Sequence, residues 1–126
     1  MRTLIILISI LFSHASLACY APRSGQEFDD LIKIEKLSGL NKYRVTVPRK
    51  LEDLNDPEIA IAYTKDGITN YKDTEFLIPS FTPATASADF TLEQKGKGKP
   101  YISVRWSPKE CCPCGIHAKT KYINIE

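Results

Sequence analysis

Residues 43–47 read YRVTV, and the alternation of apolar and polar side chains in this stretch decides the fold class. Tyr43, Val45 and Val47 alternate with Arg44 and Thr46, which is the period-2 pattern of a strand with one buried face. The apolar members are aromatic or β-branched, as strands prefer. The stretch therefore predicts a half-buried β-strand.

The same alternation recurs along most of the chain. Further runs with apolar residues at every second position cover residues 32–34, 59–63, 88–92 and 102–106. A last segment, residues 116–125, is less regular because its apolar set changes face near Tyr122. Turn signals separate the runs, at residues 38–41, 65–67 and 95–99.

No window keeps a 3.6-residue period, so crossover helices and a parallel sheet are not expected. The sequence predicts an all-β fold, an antiparallel β-sandwich of about seven strands that is immunoglobulin-like or fibronectin-III-like. A small β-barrel is the alternative. Residues 51–54 (LEDL) are predicted to form one helical turn ended by Pro57, and residues 79–88 a surface loop or an interrupted edge strand.

The end of the chain carries a family resemblance at the level of the fold. Residues 101–125 resemble the last two strands of a fibronectin-III domain, over about a fifth of the chain. The resemblance implies an architecture and no activity, since β-sandwiches serve many functions.

The first eighteen residues have the pattern of a secretory signal peptide. Met1-Arg2 is a short basic start, residues 3–12 (TLIILISILF) are apolar, and Ser16 and Ala18 provide small residues for cleavage. The apolar run is too short to span a bilayer as a mature helix. We therefore expect residues 1–18 to be a signal peptide and residues 19–126 to be one β-sandwich domain without a transmembrane segment. The expected location is periplasmic or secreted.

Cleavage after Ala18 would leave Cys19 as the first residue of the mature chain, which opens a second route. A lipoprotein would be acylated at Cys19, but the usual signal has leucine three residues before the cysteine, and here that residue is Ser16. Acylation would also leave three thiols, an odd number, in an oxidising compartment. Export without a lipid anchor is favoured, and anchoring through Cys19 is the alternative.

The composition excludes some partners and leaves the true one unknown. The formal net charge is +2, with 43% hydrophobic and 25% charged residues, as in an ordinary folded domain. Near-neutrality gives no reason to expect nucleic acid or an anionic membrane. A protein or an envelope component is the kind of partner expected.

The stretch ECCPCGIH, residues 110–117, contains three of the four cysteines. In an exported chain an even set of cysteines predicts disulfides. Adjacent Cys111 and Cys112 are too close for an unstrained bond, and Cys112–Cys114 would close a tight ring. We therefore favour Cys111–Cys114 as a local bridge and Cys19–Cys112 as a long one.

The same loop offers an alternative, a thiolate metal site for Cu(I) or Zn²⁺. The candidate ligands are Cys111, Cys112, Cys114 and His117. A blue-copper site would need a second histidine and usually a methionine, but Met1 is the single methionine and His117 the single histidine outside residues 1–18. A structural zinc site usually shows two separated ligand pairs. No metal site is favoured and no cofactor is expected.

Catalytic signals are weak throughout the chain. Cys111 to Cys114 form a C-x-x-C, but the residues after it look like a strand rather than the helix that thioredoxin-like chemistry needs. The KGKGK stretch at residues 95–99 lacks the spacing of a phosphate loop and is expected to be a flexible basic hairpin turn. No residue is assigned a catalytic role, and we expect a non-catalytic binding, adaptor or structural module.

Aromatic residues are the remaining candidates for a ligand-binding face. They are Tyr43, Tyr63, Tyr71, Tyr101, Trp106 and Tyr122. Aromatics at strand spacing belong to the core or to cross-strand pairs more often than to a binding face. The sequence does not separate the two groups.

Overall fold

Short β-strands make up most of the structure. The computed structural model describes residues 22–93, 96–108 and 114–125. The strands are, in chain order, β1 Lys33–Lys36, β2 Lys42–Pro48, β3 Lys50–Leu51, β4 Leu54–Asn55, β5 Glu58–Lys65, β6 Ile68–Thr69, β7 Glu75–Leu77, β8 Ser80–Phe81, β9 Thr85–Thr91, β10 Lys99–Trp106 and β11 Ile116–Lys119. One helical turn, α1 (Gln26–Asp29), precedes them, and a 3₁₀ helix (Tyr71–Asp73) precedes β7.

The strands form two larger sheets in which every ladder is antiparallel. The first sheet has the order β1-β2-β9-β8. The second sheet has the order β11-β10-β5-β6, and β7 also pairs with β5. A parallel bridge between Arg23 and Ile116 adds the start of the described chain beside β11. The antiparallel all-β prediction is confirmed.

One face of each sheet supplies the core. Apart from Ala60 and Ala62, the buried apolar residues of both sheets belong to one cluster, which consists of Tyr43, Val45, Val47, Ile59, Ile61, Tyr63, Ala86, Ala88, Phe90, Leu92, Ile102, Val104, Trp106, Ile116 and Ala118. These are the alternating positions of the sequence pattern, so the period-2 rule identifies the inward faces. A hydrogen bond from Trp106 Nε1 to the carbonyl oxygen of Pro48, 2.9 Å long, joins the second sheet to the first.

The predicted helical turn at residues 51–54 is wrong. These residues form a small hairpin in which β3 and β4 pair directly. Glu52 adopts a left-handed conformation with φ 55°, which supplies the tight turn at the tip. Leu51 and Leu54 both pack against the core from this hairpin. Two apolar residues three positions apart suit a helical turn and a tight hairpin equally well.

Residues 79–88 were predicted to be a surface loop or an interrupted edge strand, and the structure shows an edge strand. They include β8, a two-residue edge strand of the first sheet, and the beginning of β9. Between them, the Thr82 and Thr85 side chains are hydrogen-bonded at 2.8 Å and close the turn.

The predicted signal peptide, residues 1–18, lies outside the described residues. Within the part of the chain that the structure describes, no helix is long and apolar enough to cross a membrane.

Candidate functional site

The outer face of the second sheet carries a groove of about 590 Å³, which we call the outer groove. Its floor consists of the small residues Ala60, Ala62 and Ser103, which point away from the core on the central strands β5 and β10. Ala60 and Ala62 are buried although they lie on this outer face. Larger neighbouring side chains therefore extend further from the sheet than these alanines do, and the surface between them is recessed.

Two short segments form the walls of the outer groove. On the β11 side, Ser24 and Gly25 line it together with Gln26 and Asp29 of α1. On the β7 side, the 3₁₀ helix and β7 contribute Tyr71, Thr74 and Phe76. A second cavity, of about 1080 Å³, adjoins it and shares residues such as Tyr101 and Lys119. The outer groove is thus one part of a longer surface trough.

The aromatic candidates separate into two groups. Tyr43, Tyr63 and Trp106 belong to the core. Tyr71 and Tyr101 line the outer groove. Tyr122 packs edge-on against Tyr101, with ring centroids 6.0 Å apart, and lines the second cavity. Phe76, which the sequence analysis did not single out, also lines the outer groove and is 63% exposed.

The charges of the outer groove largely neutralise one another. Arg105 on β10 lies directly opposite Glu58 on β5, and Arg105 Nη2 donates to Glu58 Oε1 at 2.9 Å. Asp29 Oδ1 accepts a hydrogen bond from the backbone N–H of Lys119 at 2.9 Å. The lining therefore contains two carboxylates, Asp29 and Glu58, and two cations, Arg105 and Lys119.

His117 lies beside this ion pair, at the β11 edge of the outer groove. It faces Arg105 across the β10–β11 ladder, and its Nε2 is buried with no hydrogen-bond partner among the described residues. Burial lowers the pKa of His117, the Arg105 guanidinium lowers it further, and Glu58 acts in the opposite direction. These effects favour the neutral imidazole.

Thr74 provides a second unpartnered polar atom. Its Oγ1 is buried and lacks a hydrogen-bond partner within the described residues, and Thr74 lines the outer groove near Tyr71. A buried polar atom without a partner costs free energy, so such atoms call for an explanation such as a ligand or ordered water. Both atoms, Thr74 Oγ1 and His117 Nε2, belong to residues that line the same groove.

The predicted cysteine sites fall mainly beyond what the structure describes. Cys19, Cys111 and Cys112 lie outside the described residues, so the pairings Cys19–Cys112 and Cys111–Cys114 stay predictions. Cys114 lies just before β11. Among residues 22–93, 96–108 and 114–125, no group of three or more histidine, cysteine or acidic residues is arranged to hold a metal ion.

Sequence reasoning singled out His117, Tyr71 and Tyr101 but missed the groove that they line. The floor residues Ala60 and Ala62 look like ordinary members of an apolar strand. A signal was present: in residues 58–63 (EIAIAY), isoleucine and tyrosine occupy one face and alanine the other. Two successive outward positions occupied by alanine in a central strand indicate a recessed face.

Comparisons with known proteins add no relative to this description. No protein-family model, no curated protein and no solved structure matches the chain. The function is therefore argued from the chemistry of the outer groove.

Proposed function

We propose that this protein is a small exported β-sandwich that binds a ligand or partner without catalysing a reaction. The outer groove is the proposed binding face, and its recessed floor of Ala60, Ala62 and Ser103 is the observation that carries the proposal. Ligand sites are generally concave, with a few polar groups placed among apolar surfaces. The outer groove has this composition.

The surroundings of His117 support a non-catalytic role. A general base that activates a nucleophile needs a hydrogen bond to it, and usually a third group that orients the base. Nε2 of His117 has no hydrogen-bonded hydroxyl or carboxylate among the described residues. His117 is also the single histidine outside residues 1–18, so no second imidazole can take over the role.

The proposed architecture is an immunoglobulin-like or fibronectin-III-like β-sandwich. Two antiparallel sheets share one buried cluster, which is the arrangement that a two-layered sandwich requires. The signal-peptide pattern of residues 1–18 supports export to the periplasm or the medium, with lipid anchoring through Cys19 as the alternative.

The proposed disulfide pair Cys19–Cys112 and Cys111–Cys114 is supported by the position of Arg23. The Arg23 N–H donates to the Gly115 carbonyl at 2.9 Å, and the His117 N–H donates to the Arg23 carbonyl at 2.9 Å. Cys19 precedes Arg23 by four residues, which reach at most about 14 Å. These two hydrogen bonds bring the start of the mature chain to Gly115, the residue that follows Cys114.

A thiolate metal-binding protein is the second candidate function. Its ligands would be Cys111, Cys112, Cys114 and His117. The observation that favours it is the buried, unpartnered Nε2 of His117. The lowered pKa of His117 keeps the imidazole neutral, which is the form that binds metal.

A panel of chemically different ligands tests the proposal by NMR. Amide shifts of the oxidised, exported protein are recorded with neutral and acidic oligosaccharides, short peptides, Zn²⁺ and Cu(I). We expect one organic class to shift the amides of Ala60, Ala62 and Ser103. Stoichiometric binding of a metal ion that shifts residues 114–117 would favour the second candidate, and shifts confined to other surfaces would overturn the proposed binding face.

A further inference from the structure

We infer that the outer groove binds an uncharged oligosaccharide. This inference rests on the proposed function and names its ligand class. Three features of the groove carry it: exposed aromatic rings on one wall, charges that balance in sign and include one ion pair, and buried polar atoms of Thr74 and His117 without a hydrogen-bond partner among the described residues.

The β7-side wall presents apolar rings to solvent. Tyr71 is 85% exposed and Phe76 is 63% exposed, and both line the outer groove. Aromatic rings that stand clear of the core offer flat apolar faces with weakly negative electrostatic potential. The C–H face of a pyranose ring is flat, apolar and weakly positive, so it is complementary to such rings.

The charges of the groove disfavour an ionic ligand. Glu58 and Arg105 are paired at 2.9 Å, and the other two charged lining residues, Asp29 and Lys119, are of opposite sign. An anionic ligand would have to compete with Glu58 for Arg105, and a cationic ligand would have to compete with Arg105 for Glu58. A hydroxyl needs no such exchange, because it donates to a carboxylate oxygen or accepts from a guanidinium N–H while the pair stays intact.

The two unpartnered atoms suit neutral polar groups as well. Thr74 Oγ1 can donate or accept, and the neutral imidazole of His117 has one donor and one acceptor nitrogen. They lie towards opposite walls, since His117 is on β11 and Thr74 precedes β7. The three strand spacings from β11 through β10 and β5 to β7 amount to about 14 Å. The groove and the adjoining cavity together exceed the length of one sugar ring.

An extended peptide fits this face less well. A peptide strand gains affinity mainly through main-chain hydrogen bonds to a sheet edge, and a sheet face offers side chains instead. The β11 edge beside the groove is already used, because Arg23 accepts from the His117 N–H and Asp29 accepts from the Lys119 N–H. The peptide is therefore an outcome of the test rather than the proposal.

Calorimetric titration tests the inference on the oxidised, exported protein. The probes are three neutral hexasaccharides, of N-acetylglucosamine, of glucose and of mannose, together with an oligogalacturonate and a neutral hexapeptide. The variants are Tyr71→Ala and Phe76→Ala in the groove wall. Phe81→Ala is the matched control, because Phe81 is an exposed aromatic residue of β8 that packs against Arg49 and does not line the groove. Circular dichroism establishes that each variant is folded.

We expect at least one neutral hexasaccharide to bind, with an affinity that Tyr71→Ala and Phe76→Ala each reduce about fivefold to tenfold. Phe81→Ala should change it less than about twofold, and raising the salt concentration should have as small an effect, since the ligand has no charge to screen.

Binding of the oligogalacturonate or the peptide in place of the neutral sugars, with loss in the wall variants, would overturn the ligand class but leave the proposed function standing. Sugar binding that is the same in all variants would overturn the site. If none of the probes binds and no probe shifts the amides of Ala60 or Ser103, both the inference and the proposed function fail.

Discussion

At the scale of single residues, Gly115 is a position where the backbone leaves no room for a side chain. It adopts φ 121°, a conformation that side chains rarely allow. A Cβ at this position would overlap the carbonyl oxygen of Trp106 on the neighbouring strand. The same residue accepts the hydrogen bond from Arg23. The glycine of the ECCPCGIH stretch is therefore required by the close approach of the backbone, whatever the cysteines do.

We predict that Gly115→Ala lowers the free energy of unfolding by about 3 kcal/mol, because it adds a backbone clash to an unfavourable φ. Urea denaturation of the oxidised protein measures this. Gly67→Ala is the control: Gly67 also has positive φ, 76°, but a Cβ there meets no atom within 4 Å. Gly67→Ala should lower the free energy of unfolding by about 1 kcal/mol, which is the cost of the positive φ without a clash. Equal losses in the two variants would show that the contact with Trp106 is unimportant.

His117 gives the stability a pH dependence whose sign follows from its surroundings. Burial, and to a lesser extent Arg105, lower the pKa of His117 in the folded protein below its ordinary value near 6.5. The unfolded chain then binds a proton more readily than the folded one, so protonation favours unfolding. The contribution of His117 is fully present above pH about 6.5 and is lost as the pH falls towards the folded pKa.

We predict that His117→Gln loses less stability than the wild type when the pH is lowered from about 7.5 to about 5. Carboxylates titrate in the same experiment, so the comparison is the difference between the two proteins in urea unfolding rather than the absolute slope. An NMR titration of the imidazole gives the folded pKa directly. A value at or above 6.5, together with equal slopes, would contradict the prediction.

At the scale of elements, the β11 edge shows how the chain covers an exposed strand. Two backbone donors of β11 have partners from the preceding segment: the His117 N–H bonds the Arg23 carbonyl, and the Lys119 N–H bonds the Asp29 carboxylate. An edge with free donors invites pairing with another chain. Residues 23–29 thus satisfy this edge with one backbone group and one side chain.

We predict that Asp29→Ala speeds amide exchange at Lys119 and lowers the free energy of unfolding by about 1 kcal/mol, because one backbone hydrogen bond loses its acceptor. Exchange measured by NMR reports the local effect and urea denaturation the global one. Asp30→Ala is the matched control, since Asp30 directly follows α1 and its carboxylate accepts from Gln26 Nε2 at the protein surface. If amide exchange at Lys119 were equally fast in both variants, the Asp29 carboxylate would not protect the β11 edge.

The elements that sequence reasoning predicts well are those whose buried face is determined by alternation. Residues 43–47 and 102–106 lie in β2 and β10, with their apolar members in the core. The helical turn predicted for residues 51–54 was wrong because four residues are too few to distinguish a helical turn from a hairpin. The left-handed conformation of Glu52 makes the hairpin turn. The glycines of residues 95–99 were expected to give flexibility. Gly98 also has φ 112° and lies so close to the Thr64 carbonyl that no side chain fits, so glycine is required there for a reason that the pattern does not indicate.

The candidate site was less predictable, for a physical reason. The outer groove is made by residues from α1, β5, β7, β10 and β11, whose register no local pattern specifies. The Glu58–Arg105 pair joins residues 47 positions apart in sequence. Local alternation assigns both to an outward face but does not indicate that they are neighbours. Long-range register is the missing information.

At the scale of the whole molecule, segments near the two ends of the described chain meet. Arg23, near its start, bridges to Ile116 near its end, and Arg23 Nη2 also pairs with Glu52 Oε1 at 2.6 Å. Ion pairs at such exposed positions contribute little to stability. A covalent link at the same junction would contribute far more, because it restricts the unfolded chain over most of its length.

The two proposed disulfides should contribute unequally to stability, because they close loops of very different length. The Cys19–Cys112 bond closes a loop of roughly ninety residues, and the chain-entropy model assigns it about 4–5 kcal/mol; the Cys111–Cys114 bond closes a short loop worth about 2 kcal/mol. We therefore expect Cys19→Ser with Cys112→Ser to destabilise the protein about twice as much as Cys111→Ser with Cys114→Ser, as measured by urea denaturation of protein recovered from the export compartment. Peptide mapping without reduction should recover the Cys19 peptide linked to the Cys111–Cys114 segment. Free thiols at all four positions, with stability restored by Zn²⁺ or Cu(I), would instead favour the metal site, since metal binding then takes over the stabilisation.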